Sequence, residues 1–281
     1  MTLTAVVFPG QGSQHPGMRD ELAAEWPELL EAAEAAAGAD PFAHLDDGTR
    51  WVQPAIYCAS LAGWRRAQHE TAAFLAGHSL GELAALAAAG SISVQDGLEL
   101  VVLRGRLMQE AAEGAGDGGM LAVMGGREAV GPIAESLRLT LANDNSPRQV
   151  VLSGDRDALH IAAVRAEEAG MRAIDLPVAG AFHSPAMRGV VPKFRAALAE
   201  VDFRPPRVPV LCCLTAQPFD DVRGRLAEGL VSPVRWRDTV VTMHERGVTR
   251  FVETGPGRVL TGLIKRTVSG VETTTVATPV A

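Results

Sequence analysis

Gly77-His78-Ser79-Leu80-Gly81 lies between a short apolar run and an Ala/Leu-rich helical stretch that ends at Gly90. A serine between glycines at a strand-to-helix turn is the pattern of a nucleophile elbow. The glycines allow a turn tight enough to leave Oγ exposed at a helix N-terminus. There, unpaired N–H groups and the helix dipole favour the negative charge of an oxyanion. The N–H of Leu80 is the natural first donor. A glycine-rich turn whose serine merely caps the next helix uses the same residue types, so the pattern by itself leaves both readings open.

A nucleophilic serine needs a base, and histidine is the side chain nearest the right pKa without heavy tuning. The chain has seven histidines. His15, His44, His69, His160 and His244 stand in polar or helical contexts that read as solvated surface. His78 adjoins Ser79, and a tight elbow directs its ring away from Oγ. His183 stands in Gly-Ala-Phe-His-Ser-Pro, an irregular turn from which a side chain can overhang an elbow. A turn histidine bonded only to backbone fits the same context.

The elements that must position these residues read as alternating strands and helices. Leu3–Phe8 is a buried strand followed by the glycine-rich loop PGQGSQHPGM, and a helical pattern runs from Arg19 to Ala37. Gln53 to Gln68 is helix-like, with Arg65 and Arg66 on its polar face. From Met120 to Val178 the order becomes β-α-β-β-α-β, the split βαβ or ferredoxin-like arrangement. After His183 come a helix near Pro192 to Glu200, a strand VPVLCCL, a helix before Pro233, a strand RFVETG and a final helix from Val259. The fold class is therefore α/β, with a large subdomain at 1–118 and 184–281 and a small ferredoxin-like one inserted at 119–183.

Bulk properties narrow the function classes. The 281 residues suffice for a sizeable core, and no apolar run reaches the length of a membrane span. Met1 leads almost at once into a strand without a basic, apolar leader, so a cytoplasmic location is expected. A formal charge of −7 disfavours nucleic acid as a partner. Cys58, Cys212 and Cys213 read as reduced core residues.

Eight short blocks occur in order: FPGQGSQ at 8–14, QPAI at 53–56, GHSLGE at 77–82, LRGRLMQ at 103–109, NSPRQVV at 145–151, AFHSPAM at 181–187, PVRW at 233–236 and ETGPGRVL at 253–260. Together they resemble the malonyl-CoA:acyl carrier protein transacylase family, which includes the acyltransferase domains of polyketide synthases. The resemblance implies a hydrolase-like large subdomain and a ferredoxin-like small one with the active site between them. It implies a Ser79–His183 dyad, with His183 oriented by the backbone carbonyl of Gly229, where the family usually has glutamine. It implies an oxyanion hole from the N–H groups of Gln11 and Leu80, and Arg104 as the ligand of a malonyl carboxylate. Arg106, two residues on, points off that side of the helix. Leu80 and Phe182 resemble the malonyl-selecting signature, since bulk at Phe182 would crowd an α-methyl branch. Cys212-Cys213 departs from the Ser-Asn common in relatives.

The function so implied is ping-pong transfer of malonyl from coenzyme A to the phosphopantetheine thiol of an acyl carrier protein through an ester on Ser79. No metal or redox cofactor is expected, and family members of this size are often monomers. An acidic carrier would need a local basic patch, for which Arg188 and Lys193 are candidates. Competing readings are an editing thioesterase on the same scaffold, transfer of a non-malonyl acyl group, and a decayed subunit that only docks a carrier. A carboxylate clamp at Arg104 speaks against the thioesterase, and intact Ser79 and His183 speak against the decayed subunit. Fatty acid and polyketide pathways are not distinguished.

Overall fold

The computed structural model describes residues 2–67, 71–178 and 180–276; His69 lies outside them. Its strands are β1 (Leu3–Phe8), β2 (Ala72–Gly77), β3 (Gly118–Val123), β4 (Thr140–Ser146), β5 (Gln149–Asp155), β6 (Ala173–Asp175), β7 (Val210–Cys212), β8 (Gln217–Pro218), β9 (Val248–Glu253) and β10 (Glu272–Thr275). They form a six-stranded sheet ordered β10-β9-β1-β2-β7-β8 and a four-stranded sheet ordered β4-β5-β3-β6. The first is parallel except for β8. Central strands of such a sheet are covered on both faces and read as continuous apolar runs. In β1, Val6 and Phe8 enter the main core, whereas Ala5 and Val7 enter a second cluster with Trp236, Phe251 and Leu263.

The four-stranded sheet is antiparallel, and its strand order is that of the split βαβ pattern read from the sequence. Alternation along its strands explains what each face does. Leu121, Val123, Val150 and Leu152 pack with residues of the helices Arg127–Ser136 and Arg156–Glu168. Met120, Ala122 and Val151 face the other way and join the main core. That second face roofs the elbow.

Backbone bonds fix the roof in place. Val234 bridges Asn143 in parallel, donating to Ala142 O at 2.8 Å and accepting from the Asp144 N–H at 2.9 Å. Arg237 then pairs with the buried Asp144 carboxylate at 3.1 Å. Burial raises the pKa of Asp144, and Arg237 opposes that rise.

Three elements differ from the sequence reading. The pattern from Arg19 to Ala37 forms two helices, Met18–Glu25 and Pro27–Ala37, because Pro27 has no N–H to continue the first and instead starts the second. The helix expected at Gln53–Gln68 runs Thr49–Arg66 and is buried along most of its length. The helix Val259–Thr267 is not the last element, since the polar strand β10 follows and pairs with β9 at the sheet edge. No helix among the described residues is long and apolar enough to cross a membrane.

Candidate active site

Ser79 stands two residues after the end of β2 and two before the helix Gly81–Ala88. Its φ of 54° lies in the left-handed region, which bulkier side chains avoid. The glycines have a steric cause: a Cβ on Gly77 would overlap the Gly81 carbonyl, and one on Gly81 would overlap the Phe8 carbonyl. Close packing of turn, helix and central strand thus requires glycine at both places. Ser79 is held as an elbow.

Around it runs one chain of hydrogen bonds. Thr49 Oγ1 donates to Gln11 Oε1 at 2.8 Å and accepts from Gln53 Nε2 at 2.9 Å. Gln53 Oε1 accepts from Arg104 Nη1 at 2.7 Å, and Arg104 Nη2 donates to Ser79 Oγ at 2.9 Å. Ser79 Oγ lies 2.8 Å from His183 Nε2, and His183 Nδ1 lies 2.9 Å from the Gly229 carbonyl oxygen. A carbonyl only accepts, so the proton sits on Nδ1 and Nε2 is left as the acceptor facing Ser79. His183 itself has φ 56°, a second strained residue at the same place.

Electrostatics keeps this arrangement in one protonation state. Burial, reinforced by the Arg104 charge, pushes the His183 imidazole down to about 3, against a smaller opposing effect of the Gly229 bond. The ring is neutral at ordinary pH. Arg104 is buried as well, and desolvation brings it down to about 10, so it keeps its charge.

Ser79, Leu80, Arg104, Phe182 and His183 line a cavity of about 160 Å³ with Gln11 at its edge. Its apolar wall includes Met108, Met120 and Val151. Neither the Gln11 N–H nor the Leu80 N–H has an acceptor among the described residues. The structure therefore brings together Ser79, His183, Arg104, Gly229, Gln11, Leu80 and Phe182. Arg106 is exposed and pairs with Glu110 of its own helix, at 3.8 Å. Arg188 and Lys193 are exposed on the segment just after His183. Among the described residues, no group of three or more His, Cys, Asp or Glu could hold a metal ion.

Residues that the sequence reading left without a role complete the site. Gln53, quoted only as part of a motif, is buried and orients Arg104. A polar side chain next to the apolar run Pro54–Cys58 was the available signal. His78 does turn away from Ser79, and its Nε2 meets Asn145 Oδ1 at 2.9 Å, tying the elbow to the roof. Cys213, to which no chemistry was attached, donates its N–H to Glu82 Oε1 at 2.7 Å and its thiol to Gly77 O at 3.0 Å. The three cysteines are free and buried, as expected.

The model of the family "Acyl transferase domain" matches residues 5–281. The chain belongs to this family. Among its relatives in the acyl transferase family, the malonyl CoA-acyl carrier protein transacylase of Salmonella typhimurium is 39% identical over 100% of this chain and 98% of its own length. The polyketide biosynthesis protein ThaF of Burkholderia thailandensis is 40% identical over 95% of this chain, but the chain spans only 24% of that longer protein. A solved malonyl-transacylase in complex with its type II PKS acyl-carrier protein superposes with a TM-score of 0.90 at 35% identity, covering 98% of this chain and 96% of that one. The likeness to that solved structure extends to the α/β fold.

Proposed function

We propose that the chain transfers a malonyl group from coenzyme A to the phosphopantetheine thiol of an acyl carrier protein, by way of an ester on Ser79. The observation that carries this reading is the buried guanidinium of Arg104 at 2.9 Å from Ser79 Oγ. A fixed cation beside the nucleophile suits an acyl group that ends in a carboxylate, which a guanidinium can grip through two parallel bonds. An editing thioesterase for simple acyl chains would have no use for it.

The chemistry follows from the hydrogen bonds. His183 Nε2 takes the Ser79 proton as Oγ attacks the thioester carbonyl, and Gly229 O stabilises the imidazolium through Nδ1. The N–H groups of Leu80 and Gln11 receive the oxyanion of the tetrahedral intermediate. His183 then protonates the departing coenzyme A thiolate. In the second half-reaction the carrier thiol gives its proton to His183 and attacks the malonyl ester, and the imidazolium returns that proton to the departing Ser79 Oγ, so the cycle is ping-pong with no cofactor. Pairing of Arg104 with the malonyl carboxylate also removes part of the charge that depresses His183, making it a better base when the right acyl group is present.

The cavity is bounded by Leu80 and by the ring of Phe182, which supports selection against an α-methyl branch. One methyl discriminates by about 1 to 3 kcal/mol. The division into a large subdomain at 1–118 and 184–281 and a small one at 119–183 puts this cavity between them. The carrier docks through local basic side chains, Arg188 and Lys193, because the chain as a whole is negative.

His183→Ala tests the dyad. Acylation by malonyl-CoA and transfer to carrier should both slow by roughly 10²- to 10⁴-fold, since one imidazole serves as acid and base in each. Stopped acylation with intact deacylation, or wild-type rates in both steps, would remove His183 from the mechanism.

A further inference from the structure

Glu82 is a buried acid lining the site, and the mechanism above gives it no role. It stands in the first turn of the helix Gly81–Ala88, three residues after Ser79. With Ser79, Arg104, His183 and Cys213 it encloses a cavity of about 20 Å³ behind the nucleophile. Its carboxylate accepts the Cys213 N–H at 2.7 Å.

Arg104 raises a question of charge balance. Its two hydrogen bonds go to neutral oxygens, of Gln53 and Ser79, and no carboxylate lies within ion-pair distance of it among the described residues. A buried cation without a counter-charge is costly. Glu82 lines the same small cavity as Arg104, and its charge opposes the effect of burial on the guanidinium. The empty site is therefore one plus and one minus. A malonyl carboxylate arriving at Arg104 makes it one plus and two minus, and two carboxylates sharing a buried site cannot both stay ionised cheaply.

We infer that Glu82 is the resting counter-charge of Arg104 across that cavity and takes up one proton from solvent when a carboxylate-bearing acyl group binds Arg104. Glu82 is thereby a positioning residue that sets how the site accepts charge. The inference rests on the reading that Arg104 pairs with the acyl carboxylate. Burial already brings the Glu82 carboxyl up to about 7, so the proton is accessible near neutrality. The other groups facing it do not titrate there. His183 is pushed down to about 3 and His78 also lies below its ordinary value; Arg104 stays near 10, Cys212 is pushed up to about 12, and Cys213 lies well above its ordinary value.

The test is the pH dependence of kcat/KM for malonyl-CoA and acetyl-CoA in the wild type and in Glu82→Gln, which keeps the oxygen that accepts the Cys213 N–H. Only protonated Glu82 admits malonyl, so wild-type malonyl transfer should fall roughly tenfold from about pH 6 to about pH 8 as Glu82 ionises. Acetyl transfer should lack this slope, and Glu82→Gln should be flat for malonyl. Should the variant fail to fold, proton uptake by wild type in weak buffer with an indicator dye serves instead. Malonylation at about pH 7.5 should take up most of one proton more than acetylation does. Equal slopes for the two acyl groups, equal proton uptake, or a malonyl slope that persists in Glu82→Gln overturns the inference. Failure of wild type to form a malonyl ester at any pH overturns the malonyl reading itself and this inference with it.

Discussion

Ser79→Ala, mixed with malonyl-CoA, should form no acyl-enzyme, with transfer to carrier reduced by more than ~10³-fold. No second nucleophile stands at the turn. The neighbours His78 and Leu80 are committed to Asn145 and to the core, and the thiols of Cys212 and Cys213 are buried and pushed to high pKa. A thiol in that state has almost no thiolate at neutral pH. The variant should fold, because among the described residues the Ser79 side chain bonds only Arg104 and His183 and bears no part of the sheet. Circular dichroism checks the fold and intact mass checks the adduct. A malonyl adduct at full level in this variant would sink the assignment of the nucleophile.

Arg104→Ala should divide the acyl groups. Removing the guanidinium leaves a malonyl carboxylate unpaired in a partly desolvated site, costing roughly 2 to 5 kcal/mol of malonyl recognition. Acetyl has no carboxylate to lose. Its transfer should stay level or rise, because the bond from Arg104 to Ser79 Oγ no longer competes with attack. Arg106→Ala is the control on the same helix, since its side chain is exposed and pairs with Glu110. It should change neither rate strongly. Steady-state kcat/KM for both thioesters checks all three expectations. A wild type that prefers neutral acyl groups, or hydrolyses them faster than it transfers malonyl to any carrier, favours the editing thioesterase.

Local chemistry made much of this site readable in advance. The elbow was legible because Gly77 and Gly81 answer a steric demand that no other residue meets, and His183 because a histidine in an irregular turn between Gly180 and Pro185 stands apart from surface histidines. Strand order in the four-stranded sheet followed from the β-α-β-β-α-β rhythm between Met120 and Val178. Contacts between distant segments were not legible. Gln53 and Arg104, or Glu82 and Cys213, are 51 and 131 residues apart and meet only through tertiary packing, and no local pattern announces them. The break at Trp26-Pro27 was missed because the apolar spacing continues across it while the backbone hydrogen bonds do not. Strand β10 was missed for the opposite reason: a polar run of Glu272–Thr275 has no apolar alternation, and only pairing with β9 makes it a strand.

Intact-mass measurement of the wild type after separate mixing with malonyl-CoA, acetyl-CoA and methylmalonyl-CoA, followed by a chase with holo acyl carrier protein, tests the account most directly. Malonyl-CoA should give one stoichiometric adduct, mapped by peptide fragmentation to Ser79, that moves to the carrier thiol faster than it is lost to water. Acetyl and methylmalonyl adducts should form more slowly, the first for want of a partner for Arg104 and the second through crowding at Phe182. A malonyl adduct that water removes before the carrier can, or a faster and more complete adduct from acetyl-CoA, would contradict malonyl transfer as the function of this chain.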